Sequence, residues 1–509
     1  MGSEDNSTIW EKRGILIRLK SPYIGLIFCL GLLAPIGSGS GEATAEQPEP
    51  PEWAQKLKAP NQYFDWGADL RVRSERFPNA LDRDPHAQDP IREWLRVRTR
   101  VWAHLNPLKD VAIRTRLSNE SRLIISPRDY TSANPHNRFY HCFDEISVDN
   151  LYLELKQPLD SPLTLRLGRQ DLLTAPGQSG PNGTSFGDGF LFMDGTPGDG
   201  SRTFYFDAIR ATIDLEPWIE HSSIDLLAIS NRRFSRDHIR PIGGDAYYSL
   251  TDQNGDNETY GIYFKNASWI PQSQVDAYYL YSLEEDFRPQ RWESGGYRGG
   301  YFNTVGARVA GTLGERAKFL LEAAYQFGKG ENRITREIAD TSGWGTQESL
   351  SYTFSVWGEP TLIGYHAFLS GDDPETEKYE AWRPLYNRWP KWGELIGYLA
   401  VREDGIQYFT NLHILGGRID LIPMEKINVM LLYQYLWAHR NSRPEGTGIF
   451  GDGRDRGHNP QFKVSWAPAK WFETHALLEL FYIGDYFRDR DEGFESKYSF
   501  ARWEVHLKF

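Results

Sequence analysis

The sequence predicts an all-β protein: an 18-stranded antiparallel transmembrane β-barrel with short periplasmic turns and long extracellular loops. Three observations carry this expectation, namely the composition, an export signal, and a strict alternation of short and long connections. Aromatic residues make up 14% of the 509 positions, charged residues 25% and hydrophobic residues 40%. Disordered chains are poor in aromatics, so this one folds. It is too polar for a bundle of spanning helices, yet it suits a barrel, where only alternate strand residues meet lipid. Composition alone leaves a large soluble all-β protein open. A net charge of -12 argues against nucleic acid as a partner.

The N-terminus sets the compartment. Lys12, Arg13, Arg18 and Lys20 precede an uncharged run over 21–37, and Ala43-Thr-Ala45 offers a small-residue cleavage site. A basic region, a short apolar core and small residues together form a secretory signal peptide, expected at 1–45. A single anchor helix is the competing reading. Cys29 lies inside the apolar core, so cleavage leaves Cys142 alone and excludes an intramolecular disulfide. A periplasmic linker rich in Pro and Glu is expected at 46–61, and the barrel at 62–509.

From residue 62 onward the apolar residues alternate. Leu70, Val72 and Ser74 share one face, and Asp69, Arg71, Arg73 and Glu75 the other, as in a strand with one apolar and one wet side. Eight short turns, among them Asn106–Asp110, Gln157–Pro162, Leu313–Arg316 and Ala467–Lys470, mostly contain Pro, which is barred from ladder interiors. They alternate with nine Gly/Asp/Asn/Pro-rich segments near 78–90, 125–142, 174–201, 235–255, 287–298, 330–345, 372–406, 440–456 and 488–497. Seventeen connections require eighteen strands, from 62–77 to 498–509, the twelfth expected at 346–357. Segregated loop lengths are the mark of an outer-membrane barrel. Trp218, Trp269, Trp357, Trp466 and Trp471 sit beside short turns, as an interfacial girdle requires. The chain ends with Trp503, Val505, Leu507 and Phe509 alternating on one face, the terminal-strand pattern of such barrels.

Function then lies in the lumen, which at eighteen strands is wide enough for water. Alternation turns Arg71, Arg73, Arg96, Arg98, Arg100, Arg114, Arg116, Arg166, Arg210, Arg308 and Arg418 inward. It does the same for Asp69, Glu75, Glu120, Glu154, Asp214, Asp420, Glu479 and Glu504. The first three strands carry eleven basic residues against six acidic ones. A concave wall of one sign concentrates the opposite ion, and the guanidinium fork matches carboxylates. The expected solute is therefore anionic, a carboxylate-bearing polymer. Cross-strand ladders that stiffen the wall are the structural alternative for the same arginines. Strict count from Arg166 places Arg169 on the lipid face, so either a bulge occurs near Gly168 or Arg169 lies at the rim.

Asp149-Asn-Leu-Tyr-Leu-Glu-Leu155 followed by Leu165-Arg-Leu-Gly-Arg-Gln170 resembles the alginate export family. So do Gly187-Asp188, Arg202–Arg210, Phe368–Pro374 and Trp382-Arg-Pro-Leu-Tyr386, in order along nearly all of 62–509. The resemblance implies a monomeric outer-membrane barrel exporting polyuronate through an arginine-rich constriction, with long loops folded into the pore. Arg166, Gly168, Arg169, Gln170, Asp207 and Arg210 fall at motif positions, as do Ser370, Gly371, Asp372 and Asp373. The sequence departs from the pattern at Gly189-Phe190 and at Asp194–Gly200, in the loop expected to gate the pore, which puts the substrate in question.

No catalytic constellation stands out, and no cofactor is implied. Asp372 and Asp373 are a weak Ca²⁺ candidate; a solvated acidic loop is the plainer reading. The expected role is an anion-selective channel for an anionic polysaccharide, with outer-membrane lipid around it and periplasmic secretion proteins as further partners. A small-solute anion porin and a plugged barrel serving adhesion are the alternatives.

Overall fold

The computed structural model describes residues 52–78, 91–126, 146–170, 172, 206–231, 257–284, 299–384, 392–397, 409–442, 450–487 and 497–509. The expected signal segment, Cys142, the Gly187-Asp188 loop, Arg202 and Tyr386 lie outside these residues.

A helix, α1 (Glu52–Lys58), precedes the sheet. It occupies part of the segment expected as a plain linker, and the indole of Trp66 donates to the Leu57 carbonyl at 2.7 Å. The strands follow as β1 (Phe64–Pro78), β2 (Ile91–Leu108), β3 (Val111–Ser126), β4 (Ile146–Lys156), β5 (Leu163–Gln170) and β6 (Phe206–Asp214). Next come β7 (Ser222–Asn231), β8 (Asn257–Asn266), β9 (Ser273–Glu284), β10 (Gly300–Leu313), β11 (Ala317–Glu331) and β12 (Ile338–Thr353). The last six are β13 (Thr361–Leu369), β14 (Leu412–Met424), β15 (Ile427–Trp437), β16 (Asp455–Ala469), β17 (Phe472–Ile483) and β18 (Lys497–Lys508). Each pairs antiparallel with its neighbours in sequence, and β1 also pairs with β18, from Asp69 opposite Lys508 to Arg76 opposite Ala501. The sheet is closed, so no edge is left unpaired.

Alternation holds where it was read. Along β1, Asp69, Arg71, Arg73, Glu75 and Phe77 are buried while the residues between them are half-exposed. Apolar side chains such as Ile209, Ile262, Leu321 and Leu415 stand exposed on the outer face, as a lipid-facing wall requires. The five tryptophans beside the short turns are also exposed.

One connection differs from expectation. Segment 330–345 is not a long loop: β11 and β12 stay in register up to Glu331 opposite Ile338. The Thr-Ser-Gly-Trp-Gly stretch looks loop-like because its small residues are fitted to packing. A Cβ on Gly343 would lie 3.2 Å from the Trp382 Cα, and one on Gly330 would lie 3.0 Å from the Arg383 guanidinium. Those partners come from residues 370–384 of the β13–β14 connection, which pack inward against the wall.

That connection also changes the lumen. Trp382, Trp392, Leu395, Ile396 and Phe409 belong to a buried apolar cluster with inward strand residues such as Phe302, Leu369, Leu412, Leu436 and Phe481. The interior is therefore not a uniformly wet tube; part of it is a packed core.

Candidate functional site

The densest charge lies where β18, β1, β2 and β3 meet. The register places Arg73 opposite Arg96 and Glu504, and Arg71 opposite Arg98. Like charges directly across a ladder repel, so acids must interleave. Glu120 binds both Arg71, at 3.0 Å, and Arg96, at 2.8 Å. Glu75 takes Arg96 at 2.9 Å and Arg73 at 3.3 Å, and Glu504 takes Arg73 at 2.6 Å. Asp69 serves Arg100 at 2.7 Å and Arg98 at 3.6 Å. Arg71, Arg73 and Arg98 are at most 2% exposed. The wall is thus a buried ionic network, not a row of solvent-washed guanidiniums.

The remaining predicted arginines are placed around the barrel instead of joining that cluster. Arg114 and Arg116 extend the inward basic strip along β3 toward the short-turn end; Arg114 donates to the Asn106 side chain at 2.8 Å. Arg166 and Arg210 face each other across β5 and β6. Each turns to an inward carboxylate on its flanking strand, Arg166 to Glu154 on β4 at 2.5 Å and Arg210 to Asp225 on β7 at 2.9 Å. Arg308 pairs with Asp276 at 3.0 Å on the β9–β10 wall. Arg418 pairs with Asp420 at 2.9 Å and keeps 41% of its side chain exposed.

The Arg169 question resolves at the outer face. The ladder through Arg169 is unbroken on both sides, so no bulge shifts it. It shares a face with Leu167 and Ile209 and forms a two-pronged pair with Asp207, at 2.8 and 2.9 Å. Gly168 adopts φ +120°, and a Cβ there would strike the Leu151 carbonyl. Gln170 points inward and donates to the Ala208 carbonyl at 3.0 Å.

The β13–β14 connection docks on two separate walls. Near β9–β12, the Arg383 backbone and the Gln326 amide exchange hydrogen bonds at 2.9 and 2.8 Å, and the Arg383 guanidinium binds Glu284 at 3.0 Å. On β15–β18, the Trp392 carbonyl accepts from Gln434 at 2.7 Å and Gln461 at 2.8 Å. A helical turn over 394–397 follows. Its leading N–H groups, on Glu394 and Leu395, donate to Glu479 at 2.9 and 3.0 Å, satisfying donors a helix start leaves open. Arg502 holds the Glu394 carboxylate at 2.6 Å. Gly393 fits only as glycine, since a Cβ would lie 2.6 Å from the Glu479 carboxylate.

Asp372 and Asp373 belong to the same connection. Asp372 accepts from Asn332 at 3.1 Å and from the Glu380 N–H at 2.9 Å, and burial pushes its carboxyl above the ordinary range. Asp373 binds Arg440 at 3.0 Å. The Gly371 N–H donates to His439, whose imidazole burial pushes below its usual range. Ser370 accepts the Trp344 N–H at 2.8 Å and donates to the Glu380 carbonyl at 2.6 Å. These residues brace the loop root, and among the described residues no group of three or more ligands could hold a metal. Both acids of the weak Ca²⁺ candidate accept from protein donors in this arrangement.

Sequence reading missed Asp225, Asp276, Arg383, Glu394 and Arg502, as well as Glu322 on β11, which accepts from the Tyr278 hydroxyl at 2.8 Å, and Lys463 on β16. Arg502 was available, since it alternates with Glu504 on the terminal strand. Asp225 was hidden because β7 is apolar on both faces there, with Leu227 and Ile229 also buried.

A closed 18-stranded barrel with an apolar outer face and an ionic, loop-filled interior defines an outer-membrane channel protein. The alginate export family matches residues 62–501, and the chain belongs to that family. No curated protein sequence matches it. Among solved structures, OccAB4 of Acinetobacter baumannii is similar at 10% identity and TM-score 0.52, covering 89% of this chain and 100% of that one. OccK1 (OpdK) of Pseudomonas aeruginosa aligns at 10% identity and TM-score 0.51, with 87% and 98% covered. OpdQ of the same organism aligns at 10% and 0.50, with 88% and 97% covered. These neighbours share the fold, and the chain is a multi-pass barrel of the outer membrane.

Proposed function

We propose that this channel conducts an anionic polysaccharide, of the polyuronate class, outward across the outer membrane. The observation that carries the proposal is the charge balance of the β16–β18–β3 wall. There six guanidiniums (Arg71, Arg73, Arg96, Arg98, Arg100, Arg502) and Lys463 stand among six acids (Asp69, Glu75, Glu120, Glu504, Glu394, Glu479), while Glu473 and Lys508 pair with each other. One positive charge therefore remains among these described residues, and Arg114 and Arg116 add to it below. In a low-dielectric enclosure that excess acts on a passing carboxylate through space. Buried guanidiniums attract the polymer without each being captured by it, which suits passage better than tight binding. The family's name supports export as the direction.

The docked β13–β14 connection favours a second reading, a barrel closed by its own loop and serving adhesion. Planar-bilayer recording separates the two. The channel reading expects anion-selective current, blocked by polyguluronate and not by neutral dextran of equal size. Cation selectivity or block by both polymers overturns the polyuronate proposal, and an absence of current favours the closed barrel.

A further inference from the structure

The helix α1 stands at the seam where β1 meets β18, and the channel has no use for its exposed apolar side. The chain enters β1 at the short-turn end, since Phe64 pairs with Leu105 just before the Asn106–Asp110 turn. Trp66 alternates with inward Asp69 and so falls on the lipid-facing side of β1. Phe509, just past β18, falls on the same side, two residues beyond exposed Leu507. Its backbone exchanges hydrogen bonds with Ala68 at 2.8 and 3.4 Å. The Trp66 and Phe509 rings lie 5.1 Å apart across the seam.

This aromatic pair holds α1. The Trp66 indole donates to the Leu57 carbonyl at 2.7 Å, one of the acceptors a helix end leaves open. The Lys58 ammonium stands 5.1 Å from the centre of the Phe509 ring, a cation–π contact. Both partners face outward, so the helix is held against the outside of the barrel near its periplasmic rim. Its three sides differ in character at about 3.6 residues per turn. Ala54, 6% exposed, and Lys58 share the barrel side. Trp53 and Leu57 share the adjoining side, 67% and 49% exposed. Glu52, Gln55 and Lys56 take the side beyond and are exposed as well. Lys56 and Glu52 pair at 2.6 Å with 74% and 80% of their side chains exposed, a contact that competing partners replace at little cost.

We propose that α1 is an interfacial anchor lying in the periplasmic leaflet: Trp53 and Leu57 enter the boundary between headgroups and acyl chains, and Lys56 meets a phospholipid phosphate. Continuity with the lipid-facing wall selects the occupant. Trp53 and Leu57 extend sideways from Trp66 and Phe509, so the bilayer that surrounds the wall reaches them without a second protein. A helix with one side on the barrel, one apolar and one charged suits the plane of the interface, where its polar side stays in water. Indole is at home at that depth, with an apolar ring and a polar N–H. The Lys56 stem lies along apolar surface while its ammonium stays among the headgroups. The anchor fixes the entry of the first strand beside the last one. It rests on the barrel's place in the outer membrane and is independent of what the lumen conducts.

The test uses the full chain carrying Cys29→Ser and Cys142→Ser, in vesicles of dioleoylphosphatidylcholine and dioleoylphosphatidylglycerol. Folding is checked by heat-modifiable electrophoretic mobility. A nitroxide is attached at Leu57→Cys or at Gln55→Cys, which lie on opposite sides of the helix. Its collisions are read with oxygen, which concentrates in lipid, and with a water-soluble nickel chelate present on both sides of the bilayer. The Leu57→Cys label should favour oxygen and the Gln55→Cys label the chelate. Trp53→Glu should abolish that difference while the folded mobility is kept. Equal access of the chelate to both labels places the helix in water and overturns the proposal. Exclusion of both reagents from the Leu57→Cys label means that protein, such as a second copy of this chain, covers that side, and overturns it too. A difference that survives Trp53→Glu denies the indole its role and equally overturns it. Ion selectivity measured on the same samples stays unchanged, because α1 lies outside the lumen.

Discussion

Two inner walls of this barrel are built from opposite chemistry. Where β18, β1, β2 and β3 meet, guanidiniums and carboxylates saturate one another across the strands, so the wall is stiffened from within. On β15, β16 and β17, Gln434, Gln461 and Glu479 spend hydrogen bonds on a loop instead, and Asn459 links the three of them. The first wall holds its own strands together; the second holds a neighbour. Amides and a single carboxylate suit the second task because they recognise backbone N–H and C=O without a matching charge on the guest. A wall rich in arginine would have left its donors unmet by a loop offering few acceptors.

The comparison breaks first if the ionic wall is not structural. Arg73→Ala leaves Glu504 and Glu75 buried with one partner fewer, so unfolding in urea should show a loss of about 3–5 kcal/mol. A change near zero would mean water enters that wall freely and the pairs are solvated.

Loosening the second wall should act locally. Glu479→Leu strips the acceptor from the Glu394 and Leu395 N–H groups, an expected cost of about 1–3 kcal/mol concentrated in the β13–β14 connection. Single-channel conductance should rise and hydrogen exchange at residues 394–397 quicken, while the barrel's urea midpoint moves little. If conductance stays constant, this contact does not set the narrowest point.

The contrast also explains what could be read from sequence. Strand number, register faces and most inward arginines were legible because alternation is written residue by residue, as in Asp69–Glu75. Charge pairing was not, because Glu120 reaches Arg71 across two strands and 49 positions. The loop's destination was hidden altogether. Nothing in Trp392–Gly397 indicates that it meets Gln434, Gln461 and Glu479, since the contact depends on how barrel closure brings distant strands together. The glycines did carry a trace: Gly330, Gly343 and Gly393 look like loop or breaker residues, yet each marks a close approach between the folded connection and a wall.

A smaller effect is expected outside both walls. The Arg169–Asp207 pair lies on the outer face with side chains 12% and 24% exposed. Asp207→Asn should cost about 1 kcal/mol in the urea midpoint and leave ion selectivity unchanged, since neither side chain meets the lumen. Altered selectivity would place the pair at the pore mouth.

Arg418 should show the smallest effect on stability while reporting most directly on the solute. Its guanidinium stands inward on β14, paired among the described residues with Asp420 two residues on, and its exposure lets solvent compete for that pair. Arg418→Ser should therefore change the urea midpoint by less than about 1 kcal/mol. A solute, unlike the fold, meets exposed charge at close range, so the reversal potential in a salt gradient should move toward cation preference. Arg73→Ala and Arg418→Ser then form an opposed pair: a large loss of stability in one, a change of selectivity without loss of stability in the other. If Arg418→Ser leaves the reversal potential untouched, selection belongs to the buried excess on the β18–β3 wall alone, acting through space.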